Sequence, residues 1–332
     1  MINMNGLKLI NIQMIRVLFI RIILSPIVVG RLLTAFLVFS APALGQDFWQ
    51  KVSSKVVAIC GVHEGTLFGH NGRTVFRSTD NGVSWDSLYY SSANIQNYTV
   101  GKNGIHVIGT SSAGMFRSTD GGVTWTAINS GLTTTGVMRW PIFAPSGNLF
   151  VGTNNAGVFR STNGGDTWAS VSSGMGTQNI GALAFDSAGN LYAGTAWSTG
   201  NSIYKSTDNG NSWTATNWTS GIGVWSMSVS PSGNIFVGTT TNGIYRSTDN
   251  GATWVQTGAP GLHVFNAPFA CLGGGLAFVG TDTAVFRSTD DGATWHAINS
   301  GLTRPTTYGY LGVMYANGYL FTSSVDGVFR SI

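Results

Sequence analysis

Glutamate is almost absent from this chain: Glu64 is the only one in 332 residues. Charged residues of every kind make up 9% of the sequence, against roughly 25% in an average soluble domain. Chemistry that needs paired carboxylates therefore has few groups to draw on. Apart from a repeated position described below, the aspartates are Asp47, Asp86, Asp166, Asp186, Asp282, Asp291 and Asp326. Cysteine is limited to Cys60 and Cys271, too few for a disulfide scaffold and without the spacing of zinc ligands. His63, His70, His106, His263 and His296 show no metal-like spacing either, so neither metal nor cofactor is expected. No Gly-x-Ser-x-Gly elbow is present, and no helical periodicity follows residue 46.

The net charge of +4 is unevenly placed. Lys8, Arg16, Arg21 and Arg31 lie in the first 45 residues, which hold no acid, so 13 of the 17 basic residues remain to balance 13 acidic ones. The pI of 9.1 is thus an effect of the leader, and no nucleic-acid partner is expected. Arg31, the apolar run over residues 32–39 and the small residues APALG at 41–45 read as the charged, apolar and cleavage regions of a signal peptide. The uncharged run over residues 32–46 is shorter than the about 20 residues a spanning helix needs. A cleaved leader, rather than a stable membrane span, is expected, with the mature chain secreted, periplasmic or at the cell surface. Residues 1–28 exceed an ordinary signal peptide. Either translation starts downstream, which is the preferred reading, or residues 15–29 add a membrane-associated segment.

What is abundant is a phrase. IYRSTDNGATW begins at Ile244 and recurs from Val75, Met115, Val158, Ile203 and Val285, with a truncated seventh copy, VFRS, from Val328. Successive copies start 40, 43, 45, 41, 41 and 43 residues apart, a period that belongs to propellers and solenoids. The apolar, aromatic and basic residues that open each phrase alternate as a strand does. Ser78, Ser118, Ser161, Ser206, Ser247 and Ser288 follow, and two residues later come Asp80, Asp120, Asn163, Asp208, Asp249 and Asp290. Short polar side chains of this kind bond backbone N–H groups in turns. Gly82, Gly122, Gly165, Gly210, Gly251 and Gly292 then supply a positive φ. Trp85, Trp125, Trp168, Trp213, Trp254 and Trp295 close the phrase and are expected in the core, where each ring would contribute on the order of 4 kcal/mol gross.

The pattern Ser-x-Asp-x-Gly-x-x-Trp resembles the Asp-box, or bacterial neuraminidase repeat. That motif marks the turn between third and fourth strands of propeller blades in sialidases, sortilin-type receptors, certain xyloglucanases and photosystem II assembly factors. Only the third copy departs, with Asn163 keeping an acceptor but losing the charge. The resemblance implies a fold, not an activity.

Each repeat also carries a second strand, as in GNLFVGT from Gly147, GNLYAGT from Gly189 and GNIFVGT from Gly233, with a further strand ahead of it. Four strands in each of seven repeats predict an all-β, seven-bladed propeller over residues 46–332. Residues 48–54 (FWQKVSS) align with the fourth strand WASVSS from Trp168, while the chain ends in a third strand lacking its fourth. The N-terminal strand is therefore expected to close the ring. Blade six is expected to have a longer first hairpin through Gly273–Gly275. Cys60 and Cys271 fall in blades one and six, too far apart for a disulfide.

The repeated Arg77, Arg117, Arg160, Lys205, Arg246, Arg287 and Arg330 read as packing and ion-pair elements rather than a basic ring. Loops on the face opposite the boxes vary between repeats, and such loops commonly form the binding face. They carry Trp140, Trp197, Trp225, Phe265, Tyr308 and Tyr310, with His70, Asp282 and Asp326. Arg73, Arg139 and Arg304 are the mature arginines outside the repeated position and map to the same face. The expectation is a non-catalytic binding or assembly module whose glycan or protein partner sits there. The alternative is a sialidase-like glycoside hydrolase acting on anionic glycans, for which the carboxylates are scarce and the family's early Arg-Ile-Pro motif is missing. The leader yields the first test. Mass spectrometry of exported protein is expected to find an N-terminus at or near Gln46; mature chains retaining residues 15–39 would contradict it.

Overall fold

The structure, a computed structural model, describes residues 48–101, 103–176, 179–196, 203–218, 220–258, 263–264, 269–303 and 312–332. The leader (1–45) lies outside these, as do Trp197, Phe265, Arg304, Tyr308 and Tyr310. The described chain forms seven four-stranded antiparallel sheets. Successive inner strands contact one another around a ring, giving a seven-bladed β-propeller. Six blades use four consecutive strands. The seventh takes its outer strand, Trp49–Ser53, from the other end of the chain, paired with Gly327–Ser331 through Trp49↔Ser331 and Gln50↔Arg330.

Tryptophan explains how blades are joined. Trp168 donates its indole N–H to Ile128 O (2.7 Å) and its backbone N–H to Ser130 O (2.9 Å), both on the preceding blade. Trp213 repeats this on Val171 O (2.6 Å) and Ser173 O (3.0 Å). Trp49 makes the same pair of bonds, to Ile298 O (2.6 Å) and Ser300 O (3.0 Å). It is the box tryptophan of the blade that has no box. Trp85 and Trp125 instead fold over their own turns, onto Gly82 O and Gly122 O. Trp85, Trp168 and Trp213 are buried, whereas Trp125, Trp254 and Trp295 are only partly so, a correction to their uniform placement in the core. Close approach between blades also needs glycine. A Cβ on Gly194 would lie 2.3 Å from Val224 Cγ1 of the next inner strand.

Blade six departs from expectation. Its first hairpin is short, two residues between Ala270–Gly273 and Leu276–Gly280. The three glycines all hold positive φ (84°, 61° and 83°), so they tighten the turn where blades three to five use longer loops.

Blades one and two enclose a polar pair. The hydroxyl of Tyr98 bonds His106 Nδ1, and the imidazole is fully buried, 4.5 Å from the Phe68 ring between centroids. Its Nε2 has no partner. Burial is the chief reason the His106 pKa falls from 6.5 to about 4, with His63 nearby adding to it. Burial likewise takes His70 to about 4. Asp208, Asp249 and Asp290 fall from 3.8 to about 2, chiefly through the hydroxyls of Ser212, Thr253 and Thr294.

Two predictions follow from this packing. Truncating Trp49 to alanine removes a buried ring and both seam bonds, so a loss of about 3–5 kcal/mol is expected in denaturant unfolding; deletion of residues 47–53 is expected to abolish cooperative unfolding. Unchanged midpoints would show that the ring closes otherwise. The second concerns pH. A folded histidine pKa below the unfolded value means that the unfolded chain binds more protons between the two. The histidine contribution is complete above pH 6.5 and drains as pH falls towards 4; the aspartate contribution is present above 3.8 and drains towards 2. Melting temperature is expected to fall between pH 6.5 and 4, with a smaller fall in His106→Phe. A flat profile through that window would contradict the burial assignment.

Candidate functional site

The two faces of the ring differ in what their polar groups are free to do. On the Asp-box face they are engaged. Ser247 Oγ donates to Asp249 Oδ1 (2.8 Å) and accepts from Gly251 N (2.8 Å). Asp249 accepts from the N–H and hydroxyl of Thr253. The same set recurs at Ser118/Asp120, Ser206/Asp208 and Ser288/Asp290. Asn163 keeps it, accepting from Thr167 N and donating to Thr167 Oγ1. The residue before the box glycine is also left-handed, as in Asn209 (φ 62°) and Asp291 (φ 58°), and that turns its carbonyl outward. The preceding blade clamps it. Arg160 Nη1 donates to Asn209 O (2.7 Å), Arg246 to Asp291 O (3.0 Å), and Arg330 reaches Asn81 O (3.4 Å). Arg117 bonds Gly164 O (2.8 Å) and pairs with Asp166 (2.8 Å). Lys205 lies over the Tyr192 ring of its own blade instead, and Arg77 pairs with Asp86. These cations are therefore structural, and the box aspartates have no capacity to spare for a ligand. Glu64, in the hairpin turn between Ala58–His63 and Thr66–Asn71, is exposed beside His63.

The opposite face is built around bulges. Register shifts interrupt the start of the inner strands Ile95–Val100, Met138–Phe143, Ile180–Phe185 and Val224–Val229. A bulge re-aims the side chain it leaves unpaired. The unpaired residues are Gln96, Gly181 and Trp225 in blades two, four and five; in blade three the irregularity spans Trp140, whose φ is 51°. Arg139 sits at this point. The Arg139 side chain lies on Trp225, two blades further on, Cζ 4.7 Å from the ring centroid. Trp225 is 6% exposed, so it serves as a platform rather than the exposed aromatic expected. Such stacking contributes about 0.5–2 kcal/mol. Partial burial lowers the Arg139 pKa, yet a guanidinium does not deprotonate in proteins. The Trp225 ring offsets only part of the cost of desolvation: among the described residues no carboxylate pairs with Arg139, and its buried Nε has no acceptor. Trp140 Nε1 is buried without one as well.

Beneath Trp140 lies a cavity of about 680 Å³ along the ring axis, walled by the inner strands of blades one to six. Its described lining carries no Asp, Glu, Lys or Arg. Ile59, Leu183, Phe185, Met227 and Phe269 share the wall with Gln96, Asn97, Tyr98, Thr99 and Ser228, and with Cys60 and Cys271. Both cysteines are free, and burial pushes both thiols up to about 12, which makes them poor nucleophiles at neutral pH. His70 lines the cavity too, rather than the mouth. Among the described residues no three His, Cys, Asp or Glu side chains converge as a metal site requires.

The other described site residues, Asp282, Asp326 and Arg73, do not join this cluster. Asp282 Oδ1 accepts from His263 N (3.3 Å), and Asp326 accepts from Thr303 Oγ1 (2.6 Å). Arg73 is exposed in the loop after Thr66–Asn71. Among the described residues, Arg139 and Trp225 are brought together, with Trp140 next to Arg139 in the chain. Sequence reasoning placed them on one face but missed the cavity.

Comparison with known proteins places this geometry. The BNR/Asp-box repeat model matches residues 116–127. No curated protein matches the sequence. Among solved structures, one described as YCF48 bound to D1 peptide is 18% identical with a TM-score of 0.66, covering 88% of this chain and 99% of that one. Virginiamycin B lyase from Staphylococcus aureus is 13% identical with a TM-score of 0.67, covering 85% and 97%. A GH74 xyloglucanase from Xanthomonas campestris is 18% identical with a TM-score of 0.60, covering 75% of this chain and 48% of that one. Identities this low establish a common fold and leave activity open. The chain is a seven-bladed β-propeller built on BNR/Asp-box repeats.

Proposed function

We propose that this propeller is an exported, non-catalytic binding module that holds an anionic segment of a protein partner on the face opposite the Asp-boxes. The observation that carries the reading is Arg139: a guanidinium held on Trp225 with no acid opposite it. A partly desolvated cation gains most from a partner's carboxylate, through paired N–H···O bonds. Arg73, exposed on the rim, extends the same charge around the mouth. A propeller of this fold carrying a bound peptide supports a protein partner. Export rests on the signal-like leader. The alternative, a hydrolase of anionic glycans, would need two carboxylates about 5–10 Å apart, and the described cavity lining offers none.

The test is binding of acidic peptides and anionic glycans across a salt series, in wild type and in Arg73→Ala/Arg139→Ala/Arg304→Ala. Wild type is expected to bind an acidic peptide in a salt-sensitive manner, and the triple variant at least about tenfold more weakly, corresponding to about 1.4 kcal/mol. Equal binding by the variant, or no anion binding by wild type, would overturn the proposal. Release of free sugar from a sialylated glycan would favour the hydrolase.

A further inference from the structure

Charge is missing from the axial cavity, but hydrogen-bonding capacity is not. Nearly half of its lining is polar, and none of the described lining is Asp, Glu, Lys or Arg. Burial takes the His70 pKa to about 4, so that ring is neutral at neutral pH. Two side-chain atoms of lining residues, His70 Nδ1 and Trp140 Nε1, are buried without a partner. Trp140 is also held at φ 51°, a costly conformation for a bulky residue and one that clusters at ligand sites. An occupant matched to this wall carries no charge and offers both donors and acceptors.

The main chain narrows the choice. In blade five, Ser230 N bonds Asn234 O across the first hairpin. Bonding alternates along an antiparallel pair, so Ser228 and Ser226, opposite Phe236 and Gly238, face the second strand. Met227 and Val229 therefore point their N–H and C=O groups the other way, and both line the cavity. From Asp186 N on Asn190 O and Gly101 N on Ile105 O, the same alternation turns Leu183 and Phe185 of blade four and Tyr98 of blade two inward. Blade five has the most open edge. Its inner strand packs closely on that of blade four but scarcely on the short Ala270–Gly273 strand of blade six. Donors and acceptors that repeat at every second residue, about 6.6 Å apart, match an extended polypeptide, and an unpaired strand edge is a template for one.

We propose that the channel receives an uncharged, extended segment of the protein partner, which adds as a strand to the inner edge of blade five through Met227 and Val229. His70 of blade one, three blades round the ring, meets polar groups on the far edge of that segment. The volume of about 680 Å³ falls within the about 300–1,000 Å³ of ligand sites. This deepens the protein-binding reading and rests on it, but uses none of the arginines that carry it.

The probe is acetyl-Thr-Val-Thr-Val-Thr-amide, titrated into the full mature chain and followed by calorimetry and by amide hydrogen exchange read by NMR. Protection is expected to rise at Met227 and Val229, while Ser226 and Ser228, already bonded to the second strand, stay unchanged. N-methylation of alternate amides leaves one edge of the peptide free and is expected to be tolerated. Methylation of two consecutive central amides blocks both edges and is expected to weaken binding about tenfold or more. Val229→Pro removes an axis-facing N–H and spares the ladder to the second strand, so it is expected to weaken binding too, with its unfolding midpoint confirming the fold. The methylation series needs no variant and decides the matter alone if that one does not fold. Absence of peptide binding, protection away from Met227 and Val229, or indifference to consecutive methylation would overturn the inference. So would binding of maltotriose in the peptide's place, which assigns the channel to a neutral glycan. The two proposals fail separately. Salt-sensitive binding of an acidic peptide, with no peptide protecting Met227 and Val229, retains the first and loses the second.

Discussion

One contact recurs at four of the seven seams: the guanidinium of Arg117, Arg160, Arg246 or Arg330 on a carbonyl of the next blade's turn. The turn can offer that carbonyl because two consecutive residues, such as Asn209 and Gly210, are left-handed (φ 62° and 86°). The serine and aspartate of the box hold them so, by satisfying the turn's own N–H groups. Every box component thus has a mechanical role. Serine and aspartate set the turn, the turn presents an oxygen, and arginine takes it. Bonds of this kind with a charged donor contribute more than neutral ones. Seven blades each too small to fold alone become one cooperative body through their seams.

The same constraint explains the division between faces. Polar groups on the box face are consumed in holding blades together, so that face is repetitive and chemically quiet. In blades two to five the strand starts on the other face carry bulges, and the chain fills those places differently each time: Gln96, Trp140 with Pro141, Gly181 and Trp225. Arg139 of blade three lies on Trp225 of blade five.

Much of this was legible in the sequence, for reasons that can be named. The fold was readable because the box repeats, with a glycine demanded by φ at each copy. Ring closure was readable because FWQKVSS matches the outer strand of blade three, and the structure refines this by showing Trp49 in the role of a seventh box tryptophan. The blade-six hairpin was misjudged, since three glycines signal a tight turn as readily as a long one. The candidate site was half legible. Arginines and aromatics could be assigned to a face, but which of them meet depends on side chains crossing between blades, and no local pattern encodes that. The partners of Asp282 and Asp326 were invisible for the same reason: each bonds a residue about 20 positions away. The cavity escaped notice because apolar inner-strand residues look identical whether they pack against a neighbour or face the axis.

The central claim is that one face holds the ring and the other holds the ligand. Hydrogen-exchange mass spectrometry of the mature chain, with and without a bound acidic peptide, tests it directly. Protection is expected at the starts of the inner strands of blades three to five, around Arg139, Gly181 and Trp225, with exchange at the box turns around Asp120, Asp208 and Asp249 unchanged. Protection concentrated at the box turns, with the bulged strand starts unaffected, would contradict the account.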